Sequence, residues 1–151
     1  MRQAIHQLKY RNLRALAVPL ARLLQDYLVT NPVPGEALVP VPLHQKRLRE
    51  RGYNQSRLLA QELGKLIHLP VVDDCLIRQK HAPPQTRSST VDERRSNVAD
   101  AFACRDRRLQ DKQVLLIDDV STSGATLNAC AAALKAAGAI SVWGLVLTRE
   151  I

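Results

Sequence analysis

The chain has 151 residues, 46% of them hydrophobic but only 3% aromatic, and a net charge of +8 from 22 Lys and Arg against 14 Asp and Glu. That length suits one domain burying about two-thirds of its unfolded surface around Leu, Val, Ala and Ile, and no apolar run reaches the roughly 18 residues of a membrane span. The charge draws polyanions, nucleic acid or a small anion, but without interleaved aromatics there is no stacking platform for a single strand, which favours the small anion.

In residues 1–30, Ile5 and Leu8, then Leu13, Leu16, Leu20, Leu23, Leu24 and Leu28, recur at three- and four-residue spacing and predict helix. Asn12 is a cap for the second part, and Pro19 should kink the pattern or begin a new segment. The opening residues MRQAIHQLKYRN are too polar for a signal peptide. Asn31 to Gly35 reads as a turn and Ala37 to Val41 as a strand ended by Pro42.

The next stretch, Leu43 to Ser56, carries Lys46, Arg47, Arg49 and Arg51 against the single acid Glu50. Its predicted place is the loop between a strand and a helix, where open α/β sheets bind ligands. Solvated surface explains any one of these residues; four cations in six positions at a strand's end read better as an anion site. Asn54 or Ser56 then caps a helix whose Leu58, Leu59, Leu63, Leu66 and Ile67 share one side. Pro70 to Lys80 holds one or two short strands. His81 to Ser89 is a polar, proline-broken loop, Thr90 to Glu93 a capping box, Ala101 to Cys104 a strand, and Asp106 to Asp111 a charged turn.

Val114 to Ile117 is a short apolar run suited to a strand buried on both faces. Asp118 and Asp119 follow where such a strand would leave the sheet. Then come Ser121, Thr122, Ser123, Gly124, Ala125 and Thr126, small and hydroxyl-rich, and an Ala/Leu-rich helix to about Ala137. Free N–H groups and the helix dipole favour a phosphate in that loop. The acidic pair suits a polyol, because carboxylates accept from vicinal hydroxyls. Adjacent hydroxyls beside a phosphate describe a ribose 5-phosphate. Two other readings exist: a response-regulator phosphoacceptor, which would sit near the start of its domain, and a solvated turn with chance Thr/Ser/Gly content. Gly138 is a natural helix end, and Ile140 to Thr148 closes the chain as a strand.

VLLIDDVSTSGAT resembles the phosphoribosyl pyrophosphate (PRPP) motif of type I phosphoribosyltransferases, with Ser121 standing where the family usually has an apolar residue. PVPLHQKRLRERGYNQS is similar to the equivalent segment of the ComF/GntX family, the competence-type phosphoribosyltransferase-like proteins. AIHQLKYRN and the series Arg78, Gln85, Arg94 and Asn97 before Phe102 carry the same likeness, so it covers essentially the whole chain. The resemblance implies a three-layer α/β/α domain with a largely parallel sheet over residues 1–151. Residues 1–30 are its helical N-terminal part and 79–100 a flexible flap. It implies Asp118 and Asp119 on the ribose hydroxyls, Ser121 to Thr126 on the 5-phosphate, and Leu43, His44, Arg47 and Arg51 on the pyrophosphate. Gln85, Arg87 and Arg94 belong to the flap. Mg²⁺ is held mainly through PRPP, with no direct protein ligand. Relatives generally begin with a cysteine-rich, zinc-ribbon-like segment that is not in this sequence, so no zinc is expected. Cys75, Cys104 and Cys130 form no CxxC and fit the reducing cytoplasm. The implied reaction transfers phosphoribosyl from PRPP to a nitrogen acceptor. The rival is a non-catalytic module of that pocket, in a monomer or an oligomer, working with single-stranded DNA or the competence machinery.

Overall fold

A computed structural model describes residues 1–10, 14–79 and 100–150. Its helices are α1 (Arg2–Tyr10), α2 (Ala17–Thr30), α3 (Gln45–Arg51), α4 (Gln55–Ile67) and α5 (Ala125–Ala136), with a single 3-10 turn at Arg14–Leu16. The strands are β1 (Ala37–Pro40), β2 (Leu76–Arg78), β3 (Phe102–Cys104), β4 (Gln113–Ser121) and β5 (Ser141–Arg149). Parallel pairing gives the order β1-β4-β5, with Val39 opposite Leu116 and Leu145 opposite Ile117. A single parallel bridge from Val71 to Leu38 lies on the other side of β1. β2 and β3 make a separate antiparallel pair.

The alternation along β4 divides the core. Val114 and Leu116 pack with Ala37, Val39 and, from α5, Ala129, Cys130 and Leu134. Leu115 and Ile117 pack with Leu38, Leu20 and Leu24 of α2, and Leu59 and Leu63 of α4. Successive side chains of a strand point to opposite faces, so an unbroken apolar run is what a strand covered on both sides requires. The architecture is therefore α/β/α in three layers, as the sequence predicts. Among the described residues no helix is long and apolar enough to cross a membrane.

Two local expectations change. The acidic pair does not follow β4 but lies within it, because pairing with β5 continues through Ser121 opposite Arg149. The basic stretch is not a loop: Gln45–Arg51 is a helix, capped by His44, whose Nδ1 accepts from Lys46 N–H at 3.1 Å, and ended by Gly52 at φ 82°. A cap at one end and a left-handed residue at the other suffice for two turns. As expected of Pro19, a new segment begins near it: it lies in the first turn of α2, where its missing N–H has no helical partner to lose. Of the two proposed caps for α4, Asn54 serves: its Oδ1 accepts from Ser56 N–H at 3.0 Å, and its Nδ2 donates to Val41 C=O. Asn12, the capping box and the proposed flap residues Gln85, Arg87 and Arg94 lie outside the described residues. The described residues that flank this stretch are adjacent, since Arg78 pairs with Phe102.

Gly64 shows how closely α4 approaches the sheet. A Cβ there would stand 2.8 Å from Val71 Cγ2 and 2.9 Å from the Leu69 carbonyl oxygen. Gly64→Ala gains about 1 kcal/mol of helix propensity but forces a backbone oxygen to move, and overpacking typically costs about 1–3 kcal/mol. We expect a net loss, read as a melting temperature several degrees lower.

Candidate functional site at the carboxyl end of the sheet

Alternation turns the two carboxyl groups apart at the end of β4. Asp118 Oδ1 accepts from Ser56 Oγ at 2.8 Å and from Asp119 N–H at 2.9 Å. Asp119 is 2% exposed; its Oδ1 accepts from Val120 N–H, and its Oδ2 lies 2.9 Å from Lys9 Nζ. That contact is a charge pair without hydrogen-bond alignment, so Oδ2 has no hydrogen-bond partner among the described residues. Burial first, and the neighbouring Asp119 charge second, push the Asp118 carboxyl up to about 7, against the opposing effect of the Ser56 hydrogen bond. Burial and the Asp118 charge also push the Cys130 thiol up to about 12, so it stays protonated.

Ser121 is the last residue of β4; it is buried, and its carbonyl accepts from Glu150 N–H at 2.8 Å. The exposed loop is therefore Thr122 and Ser123, followed by Gly124 at φ 82° as the cap of α5. Ser123 Oγ accepts from Ala125 N–H at 3.3 Å. The other amides of this first turn, beginning with Thr126, have no helical acceptor and face the loop. A Cβ on Gly124 would meet only Asn128 Nδ2, at 3.9 Å, so what this glycine supplies is its left-handed conformation rather than room within the protein.

The basic helix closes the opposite side. Arg47 and Arg51, one turn apart on α3, line a cavity of about 440 Å³ with Lys9, Tyr10, Glu50 and Tyr53. Arg51 Nη1 donates to Gln55 Oε1, and its guanidinium lies 5.4 Å from the centre of the Tyr10 ring. Tyr53 O–H donates to the Leu8 carbonyl and so pins α1 over the strand ends. The structure thus brings Arg47 and Arg51 together, but not Leu43, which lines a separate groove with Arg57 and Arg78. His44 is exposed, with Nδ1 engaged in capping α3. A second cavity, also about 440 Å³, lies between α1 and the ends of β4 and β5, lined by Ile5, His6, Val120 and Thr148. Lys9 and Tyr10 line both cavities.

Lys9, Tyr10 and the Ser56 contact to Asp118 are site features that periodicity does not reveal. Lys9 follows Leu8 on a helix whose apolar spacing says only which residues face inwards. The segment AIHQLKYRN carried family likeness, which was the one available signal. For a metal, among the described residues no three His, Cys, Asp or Glu side chains converge. Two carboxylates suit a hard cation that keeps its own waters and a ligand's phosphate oxygens, so Mg²⁺ fits here as the companion of a polyphosphate.

A mostly parallel sheet, helices on both faces and an acidic strand end leading through a Thr-Ser-Gly loop into a helix define the type I phosphoribosyltransferase fold. Solved structures agree. Glutamine PRPP amidotransferase from Bacillus subtilis superimposes with a TM-score of 0.60 over 88% of this chain and 27% of its own, at 16% identity. A hypothetical protein from Neisseria gonorrhoeae with bound ppGpp gives 0.57 over 91% and 69%, at 14% identity. No protein-family model matches the chain. Among curated proteins, competence protein F of Haemophilus influenzae is 40% identical over 114 residues, 73% of this chain and 49% of that protein. DNA utilization protein YhgH of Escherichia coli is 33% identical over 151 residues, 95% of this chain and 66% of that one. Competence protein ComFC of Bacillus subtilis is 36% identical over 75% of this chain and 44% of its own. The chain belongs to this competence protein F family, and it spans 49% of the length of the first of these relatives and 66% of the second.

The acidic pair makes the fold's stability depend on pH. Between about 4, the ordinary carboxylate value, and about 7, the folded protein holds a proton on Asp118 that the unfolded chain has released. Raising pH across that interval therefore removes stability. Asp118→Asn, which keeps an acceptor for Ser56, is expected to melt near wild type at pH 4 and several degrees above it at pH 8. Equal melting curves at both pH values would contradict the assigned repulsion.

Proposed function

We propose that the protein binds PRPP at the end of β4 and transfers its phosphoribosyl group to a nitrogen acceptor, releasing pyrophosphate. The observation that carries this reading is the acidic pair, Asp119 buried and Asp118 half-buried, set shortly before the Thr122–Ser123–Gly124 turn and the start of α5. Asp118 and Asp119 accept from the ribose hydroxyls; the loop amides and hydroxyls of Thr122, Ser123 and Thr126 take the 5-phosphate. Arg47 and Arg51 steady the pyrophosphate as negative charge gathers on it, and bound Mg²⁺ supplies further charge neutralisation there. Positive charge develops at C1 in an oxocarbenium-like transition state, close to the carboxylates. No covalent nucleophile is needed. The flap with Gln85, Arg87 and Arg94 would exclude water, and the cytoplasm supplies the setting.

Isothermal calorimetry with PRPP and Mg²⁺ tests the pocket. Asp118→Asn/Asp119→Asn should lower affinity at least about tenfold, the order expected for losing charge-assisted hydrogen bonds, while the protein stays folded. Equal affinity in the wild type and the double variant would remove the ribose assignment. Release of pyrophosphate on adding candidate acceptors then separates transfer from binding alone.

The names of the relatives favour a second reading, a module of this pocket acting on DNA. The net charge of +8 supports an electrostatic contact. In that case single-stranded DNA should bind at low salt, and log affinity should fall linearly with log salt concentration. No binding at low salt, or binding indifferent to salt, would dismiss it.

A further inference from the structure

Lys9 stands at the junction of everything the site needs. Its backbone is fixed: Leu8 is fully buried, Ile5 is 4% exposed, and Tyr53 O–H holds the Leu8 carbonyl. Its side chain is not confined in the same way, being 23% exposed at the wall between the two cavities. In the free protein the ammonium neutralises Asp119 Oδ2, an oxygen that has no hydrogen bond and is closed to solvent. The cavity on one side of Lys9 also holds Arg47, Arg51 and Glu50. Arg51 is engaged by Gln55 and the Tyr10 ring, whereas Arg47 has no ion-pair partner among the described residues. Glu50 offsets part of the arginine charge in that cavity, and the Lys9 ammonium, on a flexible four-carbon stem at the same wall, is the further cation available to a diphosphate there.

We propose that Lys9 is a specificity-determining residue: its ammonium holds Asp119 in the free protein and transfers to the diphosphate of an incoming ligand, opening the carboxylate to the ribose hydroxyls. The inference rests on the PRPP reading and adds a condition to it. A buried carboxylate does not give up its counter-charge without replacement donors, and the ammonium does not leave without a new anion. Ribose 5-phosphate brings the donors but no diphosphate. PRPP brings both, so the site rejects the monophosphate by leaving Lys9 in place.

The test compares PRPP with ribose 5-phosphate by calorimetry, with Mg²⁺ in every titration, in the wild type and in Lys9→Met. The ratio of the two affinities should fall at least about tenfold in the variant, because PRPP weakens while ribose 5-phosphate does not. A measurement on the wild type covers the case in which Lys9→Met does not fold. With lysines carrying ¹³C-methyl labels, the Lys9 resonance should move on adding PRPP and stay in place with ribose 5-phosphate. An unchanged affinity ratio in folded Lys9→Met, or a Lys9 signal that responds equally to both ligands, overturns the role of Lys9 and leaves the pocket intact. A wild-type protein that binds neither ligand overturns the PRPP reading, and this inference with it.

Discussion

Two consecutive residues near the end of a strand covered on both faces carry carboxylates, turned to opposite sides but close enough to repel, and much of the molecule answers that constraint. Like charges in contact away from water cannot both ionise without cost, and a buried charge stripped of its partner typically costs about 3–5 kcal/mol. The chain meets this with donors from separate elements: Ser56 from α4 on Asp118, and Lys9 from α1 beside Asp119. The amides of Asp119 and Val120 complete the shell. Each donor is held in turn. Asn54 takes the capping position of α4 and leaves the Ser56 hydroxyl free for Asp118, while Tyr53 fastens α1 through the Leu8 carbonyl.

The parallel sheet then determines what can gather around the pair. Parallel strands that start together also end together, so β1, β4 and β5 deliver their following segments to one rim. β1 leads to the basic helix α3, and β4 leads to the small-residue loop and α5. The anion-attracting parts therefore flank the acidic pair from two directions. The PRPP reading proposed above uses that layout, with the sugar hydroxyls placed in the middle. The order of charges along the rim is a property of the topology.

Rigid and adjustable parts are also divided. The carboxylates ride on β4, whose neighbours Leu115, Leu116 and Ile117 are at most 2% exposed. The counter-charges ride on α1 and α3, which lie at the rim and carry long side chains. Fixed acceptors and movable cations allow a site to stay folded when empty and to rearrange its charges around a ligand without moving the core.

What the sequence determined by itself was the elements whose period or residue type is distinctive. The run Val114 to Ile117 announced a doubly buried strand, and the small residues and glycine after it announced a turn into a helix, because period and residue type alone carry those meanings. The leucines of α4 and the closing strand were legible for the same reason, whereas the choice of Asn54 over Ser56 as the cap waited for the structure and the three-layer class came through the family resemblance. The helix at Gln45–Arg51 was not, since QKRLRER offers one apolar residue and so no period; its ends, His44 and Gly52, decided it. Nor was the true end of β4, because whether Asp118 to Ser121 stay extended depends on hydrogen bonds from β5, a partner that comes later in the chain. Tertiary structure alone chose Lys9. Many cations could have faced the buried acid, and only the packing of Ile5 and Leu8 against the sheet carries this one to within 2.9 Å of Asp119.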